Sequence, residues 1–334
     1  MLKSKFIIKI TTIFVIAILL VGCSTKKTDD QKLSTIDFIL DWVPNTNHTG
    51  LYVAQKLGYD KELGFSLNIK RPPEGSTTEL IASGKDAAFG ISFQDTLAKK
   101  FEKDDRIQVI ATIINNNTSG IISKKSLNIN SPADMSNHSY GTWDDPIEKS
   151  IINKIMQNEN KNIDDVKLVP NTADNSVIGI ENNMFDTAWV YYAWDVILAQ
   201  HMKVDNNFFF IKDYANELNF YSPVIIANKE FISKNEELTK KVMTAIKKGY
   251  IYAIDHPKEA AEILIENAPE LADKKEFVIK SQEWLAKEYA ASKENWGIID
   301  KNRWDNFYNY LYENKLINVD LTKKELFTNK YIGE

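Results

Sequence analysis

From Ile36 onward the apolar residues fall into two alternating rhythms. Short dense runs, "TIDFIL", "FSLNIKRPP", "DAAFGIS" and "IQVIATII", predict strands, the second stopped by Pro72 and Pro73. Between them, "TGLYVAQKLGYDKELG", "GSTTELIASGK" and "FQDTLAKKFEKD" carry the spacing of amphipathic helices. Ser76 or Thr77 is placed to cap the second of these, and Gly84 to end it. After the amide run Asn115-Asn116-Asn117 the unit restarts. "GIISKKS", "DVKLVPN", "FDTAWVYYAW" and "NNFFFIKDY" read as strands, and "SPADMSNHSYGTW" carries a capped turn into another. "DPIEKSIINKIMQNEN", with Pro146 in its first turn, "ADNSVIGIENN" and "WDVILAQHM" read as helices. Beyond "YSPVIIANKEFI" the pattern is helical, broken at Pro257.

Alternating strands and helices predict an α/β fold with largely parallel sheets. Two such units joined by short crossings predict two αβ lobes with a cleft between them. The crossings are expected near Asn117–Ser123 and Asn216–Pro223. Lobe 1 then spans 35–118 plus 222–334, and lobe 2 spans 119–221. Two crossings suit a hinge that closes on a ligand.

The first 22 residues follow neither rhythm. Lys3, Lys5 and Lys9 precede an almost unbroken apolar run, Ile10 to Val21, which is the build of an export signal. It ends in Leu20-Val21-Gly22-Cys23, which resembles a bacterial lipobox. Cys23 is the only cysteine of the chain, so the expectation is lipidation at Cys23 after cleavage, and no disulfide framework. Residues 24–34, "STKKTDDQKLS", are polar and aperiodic and read as a flexible tether. The expected location is the extracytoplasmic face of a bacterial cell membrane, held there through the N-terminal lipid alone.

Composition narrows the chemistry. A net charge of −5 with no basic stripe argues against a nucleic-acid partner. Seven Trp, 14 Tyr and 16 Phe are more rings than a core needs and leave some for a ligand pocket. The sequence lacks G-x-S-x-G, P-loop, H-E-x-x-H and G-x-G-x-x-G patterns, and its four His are scattered. The expectation is therefore a binder without metal or cofactor, and a monomer.

Ligands of such sheets sit beyond the C-terminal ends of strands. That rule selects Asp41, Trp42, Asn45, Asn47 and His48, then Glu74 to Ser76, then Ser92, Phe93 and Gln94, then Asn115 to Ser119. In lobe 2 it selects Trp143, Asp144, Asp145 and Glu148, then Asn171 to Asn175, then Tyr191, Tyr192 and Trp194. Trp189 falls mid-strand, where alternation turns it toward the core. The candidate contacts are Trp42, Asn45, Asn47, His48, Ser92, Gln94, Asn117, Ser119, Trp143, Glu148, Tyr192, Trp194 and Tyr221. Aromatics would stack on a flat nitrogen-rich ring, with amides and an acid pairing its edge. Asp41, Asp144, Asp145 and Asn47 serve equally well as helix caps, and His48 fits a hydrogen-bonded structural histidine better than a catalyst.

Several stretches carry a resemblance: "DWVPNTNHTGLYVAQKLGY", "PPEGSTTELIASGKDAAFGIS", "NTSGIISKK", "WGIIDKNRWDNF" and "FTNKYIGE". They resemble the substrate-binding lipoproteins of ABC importers for thiamine pyrimidine precursors, in particular N-formyl-4-amino-5-aminomethyl-2-methylpyrimidine. The resemblance implies a type II periplasmic-binding-protein fold, a permease and an ATPase as partners, and an aminopyrimidine ligand. Relatives in the importer group bind riboflavin or other flat aromatics, which is the alternative ligand. The same superfamily holds the fungal thiamine pyrimidine synthase, whose pattern places a cofactor lysine and, four residues on, a donor histidine. In "GISFQDTLAKK" those places are held by Ile91 and Asp95, so the enzyme's chemistry is not expected.

Overall fold

The computed structural model describes residues 33–72, 76–85, 87–173 and 175–332. The expected signal segment, Cys23, the tether up to residue 32, and Glu74 and Gly75 lie outside the described residues.

Among the described residues ten strands form two five-stranded sheets. β1 (Ser34–Ile39), β2 (Phe65–Lys70), β3 (Phe89–Ser92), β4 (Ile107–Thr112) and β10 (Val224–Asn228) build the first, in the order β2-β1-β3-β10-β4. β5 (Ser119–Lys124), β6 (Ser139–Thr142), β7 (Lys167–Pro170), β8 (Thr187–Tyr191) and β9 (Asn206–Phe210) build the second, in the order β7-β6-β8-β5-β9. The two orders superpose strand for strand, with β1 matching β6 at the second position. Each sheet is mixed rather than wholly parallel. β10 runs antiparallel to β3 and β4, and β5 antiparallel to β8 and β9. The reason is connectivity. β4 ends on the cleft side and hands the chain to β5, which must run away from the cleft. β9 ends there too and hands the chain to β10.

The helices follow their sequence signals. Asp145 caps Pro146–Asn158 by accepting from the N–H groups of Ile147 and Glu148. The first predicted helix is split, since Gly58 adopts φ +77° between Thr49–Lys56 and Tyr59–Glu62. The predicted strand "FDTAWVYYAW" stops at Tyr191, and Tyr192–Val196 coils into a single π-helical turn before the helix Ile197–His201. Trp296 and Trp304 are fully buried among the C-terminal helices. The long helix Glu236–Asp255 packs closely on Thr49–Lys56. A Cβ at Gly249 would lie 2.0 Å from the Gly50 carbonyl oxygen, so only glycine allows this approach.

Candidate functional site

The loop after β1 is fixed from behind. Asn45 Oδ1 accepts from Asn47 N at 2.9 Å, and the Asn45 N–H donates to His48 Nδ1 at 3.2 Å. With Nδ1 accepting, the ring proton sits on Nε2 and is donated to Asp41 Oδ1 at 2.7 Å. His48 has no exposed surface and braces the loop from behind. From the C-terminal part of the chain, Tyr289 Oη, just past the helix Lys275–Leu285, donates to the Thr46 carbonyl at 2.5 Å, and Tyr250 Oη to the Asn47 carbonyl at 2.6 Å. The outcome is a rigid platform that leaves Trp42 half exposed, at 50%.

The corresponding strand of the second sheet, β6, ends in the same way. Trp143 follows it directly and is 52% exposed. Glu148 holds this turn. Its carboxylate accepts from Tyr140 Oη at 2.8 Å, Thr142 Oγ1 at 2.8 Å and the Trp143 N–H at 3.1 and 3.2 Å. Asp144 continues the turn at φ +65°, with its N–H on Thr142 Oγ1.

Between these platforms lies a cavity of about 480 Å³. The first lobe lines it with Asp41, Trp42, Asn45, Asn47 and Phe93. The second contributes Trp143, Asn171, Asn175, Ser176, Trp189, Tyr191, Trp194 and Asp195, among others. Asp195 is its polar anchor. It accepts from the Tyr191 N–H at 2.9 Å and from Asn175 Nδ2 at 3.4 Å, and its low-dielectric surroundings push its pKa up to about 6. A second chamber of about 430 Å³ shares Phe93, Trp143, Trp189 and Tyr191 with the first and continues to Asp95, Thr96, Lys99, Asp145 and Glu148. Among the described residues no group of three or more His, Cys, Asp or Glu is placed to hold a metal ion.

Of the thirteen candidate contacts, Trp42, Asn45, Asn47, Trp143 and Trp194 line the main cavity, and Glu148 lines the second, while Asp41, Phe93, Asn171, Asn175 and Tyr191 from the wider strand-end set also line the main cavity. The other candidate contacts lie elsewhere. Tyr192, turned away by the π turn, stacks on Trp284 with centroids 4.6 Å apart. Ser92 bonds Thr78. Gln94 joins the Trp304 carbonyl to the Tyr221 N–H. Asn117 is fully buried, accepts from Ser119 N and Oγ, and donates to the Leu218 carbonyl at 2.8 Å. Tyr221 lies under the Arg303 guanidinium at 4.0 Å. Gln94, Asn117 and Tyr221 tie the two crossings into the body. The strand-end rule left out Trp189 and Asp195. Trp189 lines both chambers although it is only 3% exposed. Its two-residue spacing from Tyr191 along β8 carried the signal that both share the cleft face.

Two mixed α/β sheets in this order, with a cleft bordered by both, define the two-lobed type II binding-protein class. The periplasmic aliphatic sulphonate binding protein SsuA of Escherichia coli shares the fold, with a TM-score of 0.64 at 10% identity over 88% of this chain and 91% of that one. The chain belongs to the family described as NMT1/THI5 like, whose model matches residues 45–260. It is 24% identical over 264 residues to the formylaminopyrimidine-binding protein of Halalkalibacterium halodurans, covering 78% of this chain and 79% of that protein. It is also 24% identical over 313 residues to the 4-amino-5-hydroxymethyl-2-methylpyrimidine phosphate synthase of Legionella pneumophila, covering 90% and 93%.

Proposed function

We propose that the chain is the lipid-anchored, extracytoplasmic solute-binding protein of an ABC importer. In this reading it captures N-formyl-4-amino-5-aminomethyl-2-methylpyrimidine, or a close relative, and delivers it to a permease. The observation that carries this is the main cavity itself. Two half-exposed tryptophans, Trp42 and Trp143, follow equivalent strands of the two lobes, with the acceptor Asp195 on the second lobe's wall. A flat ring between the lobes offers its faces to the indoles and its amine to the carboxylate. The similarity to the formylaminopyrimidine-binding protein supports the ligand class. The lobes divide at 118/119 and 221/222 and close about the two crossings. Cys23 carries the lipid.

The synthase relatives raise an enzyme reading, but Ile91 lies buried within β3 and Asp95 stands in the first turn of the helix after it, so the two pattern positions carry neither the lysine nor the histidine. Calorimetric titration of the purified soluble body with the formylaminopyrimidine tests the proposal. Saturable binding supports it. An absence of heat and of thermal shift, with riboflavin binding instead, overturns the ligand. An absorbance band for an internal aldimine on adding pyridoxal phosphate would restore the enzyme. Loss of radiolabelled palmitate incorporation in Cys23→Ala tests the anchor.

A further inference from the structure

The second chamber holds two buried polar atoms that the fold leaves without partners. The indole Nε1 of Trp189 and the Oδ1 of Asp95 make no hydrogen bond among the described residues, and both residues line this chamber. Buried polar atoms are almost always paired, because leaving one unmet costs about 1–3 kcal/mol. One orphan donor and one orphan acceptor, on two residues that line a single chamber, point to a group that supplies the complement of each. Of the other polar groups nearby, the Thr96 and Tyr191 hydroxyls can each turn to donate or accept, and the charged groups are already engaged. Glu148 accepts from three residues, Asp145 caps its helix, and Lys99 donates to the Leu316 carbonyl.

The donor inventory then selects the chemistry. An ammonium carries only donors and would leave the Trp189 N–H unmet. A phosphate presents acceptors and would face Asp95 and Asp145 with like charge. A secondary amide has one carbonyl beside one N–H. Resting on the ring-binding reading above, we propose that the second chamber takes the substituent of the pyrimidine ring and is built for a neutral amide. Its carbonyl accepts from Trp189 Nε1, and its N–H donates to Asp95 Oδ1. Trp143 is the cover of this compartment. Its half-exposed ring lies 6.0 Å from that of Trp189, tilted by 41°, and its movement admits the amide to atoms now below the surface.

The test uses the full soluble body and four ligands: 4-amino-2-methylpyrimidine bearing a formylaminomethyl, hydroxymethyl, aminomethyl or methyl group at the remaining substituted carbon. The formylaminomethyl ligand is expected to bind at least roughly tenfold more tightly than each of the others, the size of one or two buried hydrogen bonds. Trp189→Phe keeps an aromatic side chain, though a smaller one, and deletes the N–H, and is expected to shrink the formylaminomethyl-to-methyl affinity ratio about tenfold. Asp95→Leu, checked for folding by its melting curve, is expected to shrink it likewise. Equal affinities across the wild-type series, or an unchanged ratio in Trp189→Phe, overturn the amide compartment while leaving the ring reading intact. Failure of all four pyrimidines to bind overturns both.

Discussion

The carboxylate of Glu148 accepts from the backbone N–H of Trp143 through both oxygens, at 3.2 and 3.1 Å. The acid thus acts on the cleft through the tryptophan it positions. Glu148→Ala would release Tyr140 Oη, Thr142 Oγ1 and the Trp143 N–H together. A loss of about 2–4 kcal/mol is expected, because buried donors are left unmet around a former charge. Glu148→Gln, which still accepts, should recover part of it. Chemical denaturation gives the stability, and tryptophan fluorescence anisotropy reports whether the Trp143 turn has loosened.

His48 and Asp41 form the equivalent brace in the first lobe. His48→Leu fills the same space but strands the Asn45 N–H and Asp41 Oδ1. A destabilisation of about 1–3 kcal/mol is expected. Calorimetry should show ligand affinity falling with it, because Trp42 and Asn47 ride on this loop. Unchanged affinity would mean that the loop is held by Tyr250 and Tyr289 alone.

Asp195 makes a prediction with a definite sign. Its folded-state pKa is raised from 3.8 to about 6, so the folded chain binds this proton more tightly than the unfolded chain does. Its stabilising effect is full below the unfolded value and is lost as pH rises through about 6. Asp195→Asn imitates the protonated form. It should therefore raise the unfolding free energy above pH ~7 by an amount on the order of 2 kcal/mol, seen as a higher melting temperature, with no gain below pH ~4. The same variant should bind aminopyrimidine more weakly, since the amide adds a donor facing the ring amine. Melting curves across pH, paired with titrations, separate the two effects.

The crossings are stitched by Asn219. Its Oδ1 accepts from the Asn117 N–H at 2.8 Å and from Arg303 Nη2 at 3.1 Å, and its Nδ2 donates to Asn116 Oδ1 at 3.1 Å. Asn219→Ala cuts all three links. A loss of about 1–3 kcal/mol is expected. Small-angle scattering should show a broader spread of lobe separations without ligand than the wild type has.

Gly249→Ala tests the helix contact behind the first platform. The added methyl meets the Gly50 carbonyl at 2.0 Å, with backbone on both sides. Overpacking of about 3 kcal/mol or more is expected, read as a fall in the unfolding midpoint. The displaced helix carries Tyr250 away from the Asn47 carbonyl, so affinity should fall as well.

Much of the fold was legible because burial imposes period. "TIDFIL" and "IQVIATII" are dense enough to be strands, and Asp145-Pro146 announces a helix start. The site was legible in its first half for a local reason, since Trp42, Asn45 and Asn47 belong to one loop. It was harder in the second half. The π turn at Tyr192–Val196 has no periodic signature, and it decides that Tyr191, Trp194 and Asp195 line the cavity while Tyr192 does not. Gln94 and Asn117 read as ligand amides because their actual partners, Tyr221 and Leu218, lie 127 and 101 residues away. Alternation along β8 turns Trp189 toward the core. It is buried, but against a cavity, and alternation does not separate an interior wall from a solid interior.

The placement of β10 between β3 and β4 bears on how the chain matures. β5 to β9 are contiguous, so the second sheet can close as soon as those residues are available. The first cannot, because its gap is filled by a strand that comes after all five of the other sheet. Until Val224–Asn228 arrive, β3 and β4 each present an unpaired edge, which is the surface that recruits other strands. A chain delivered N-terminus first therefore spends the interval with its earliest half unfinished. It is during that interval, rather than after folding, that a chaperone or a protease would find it.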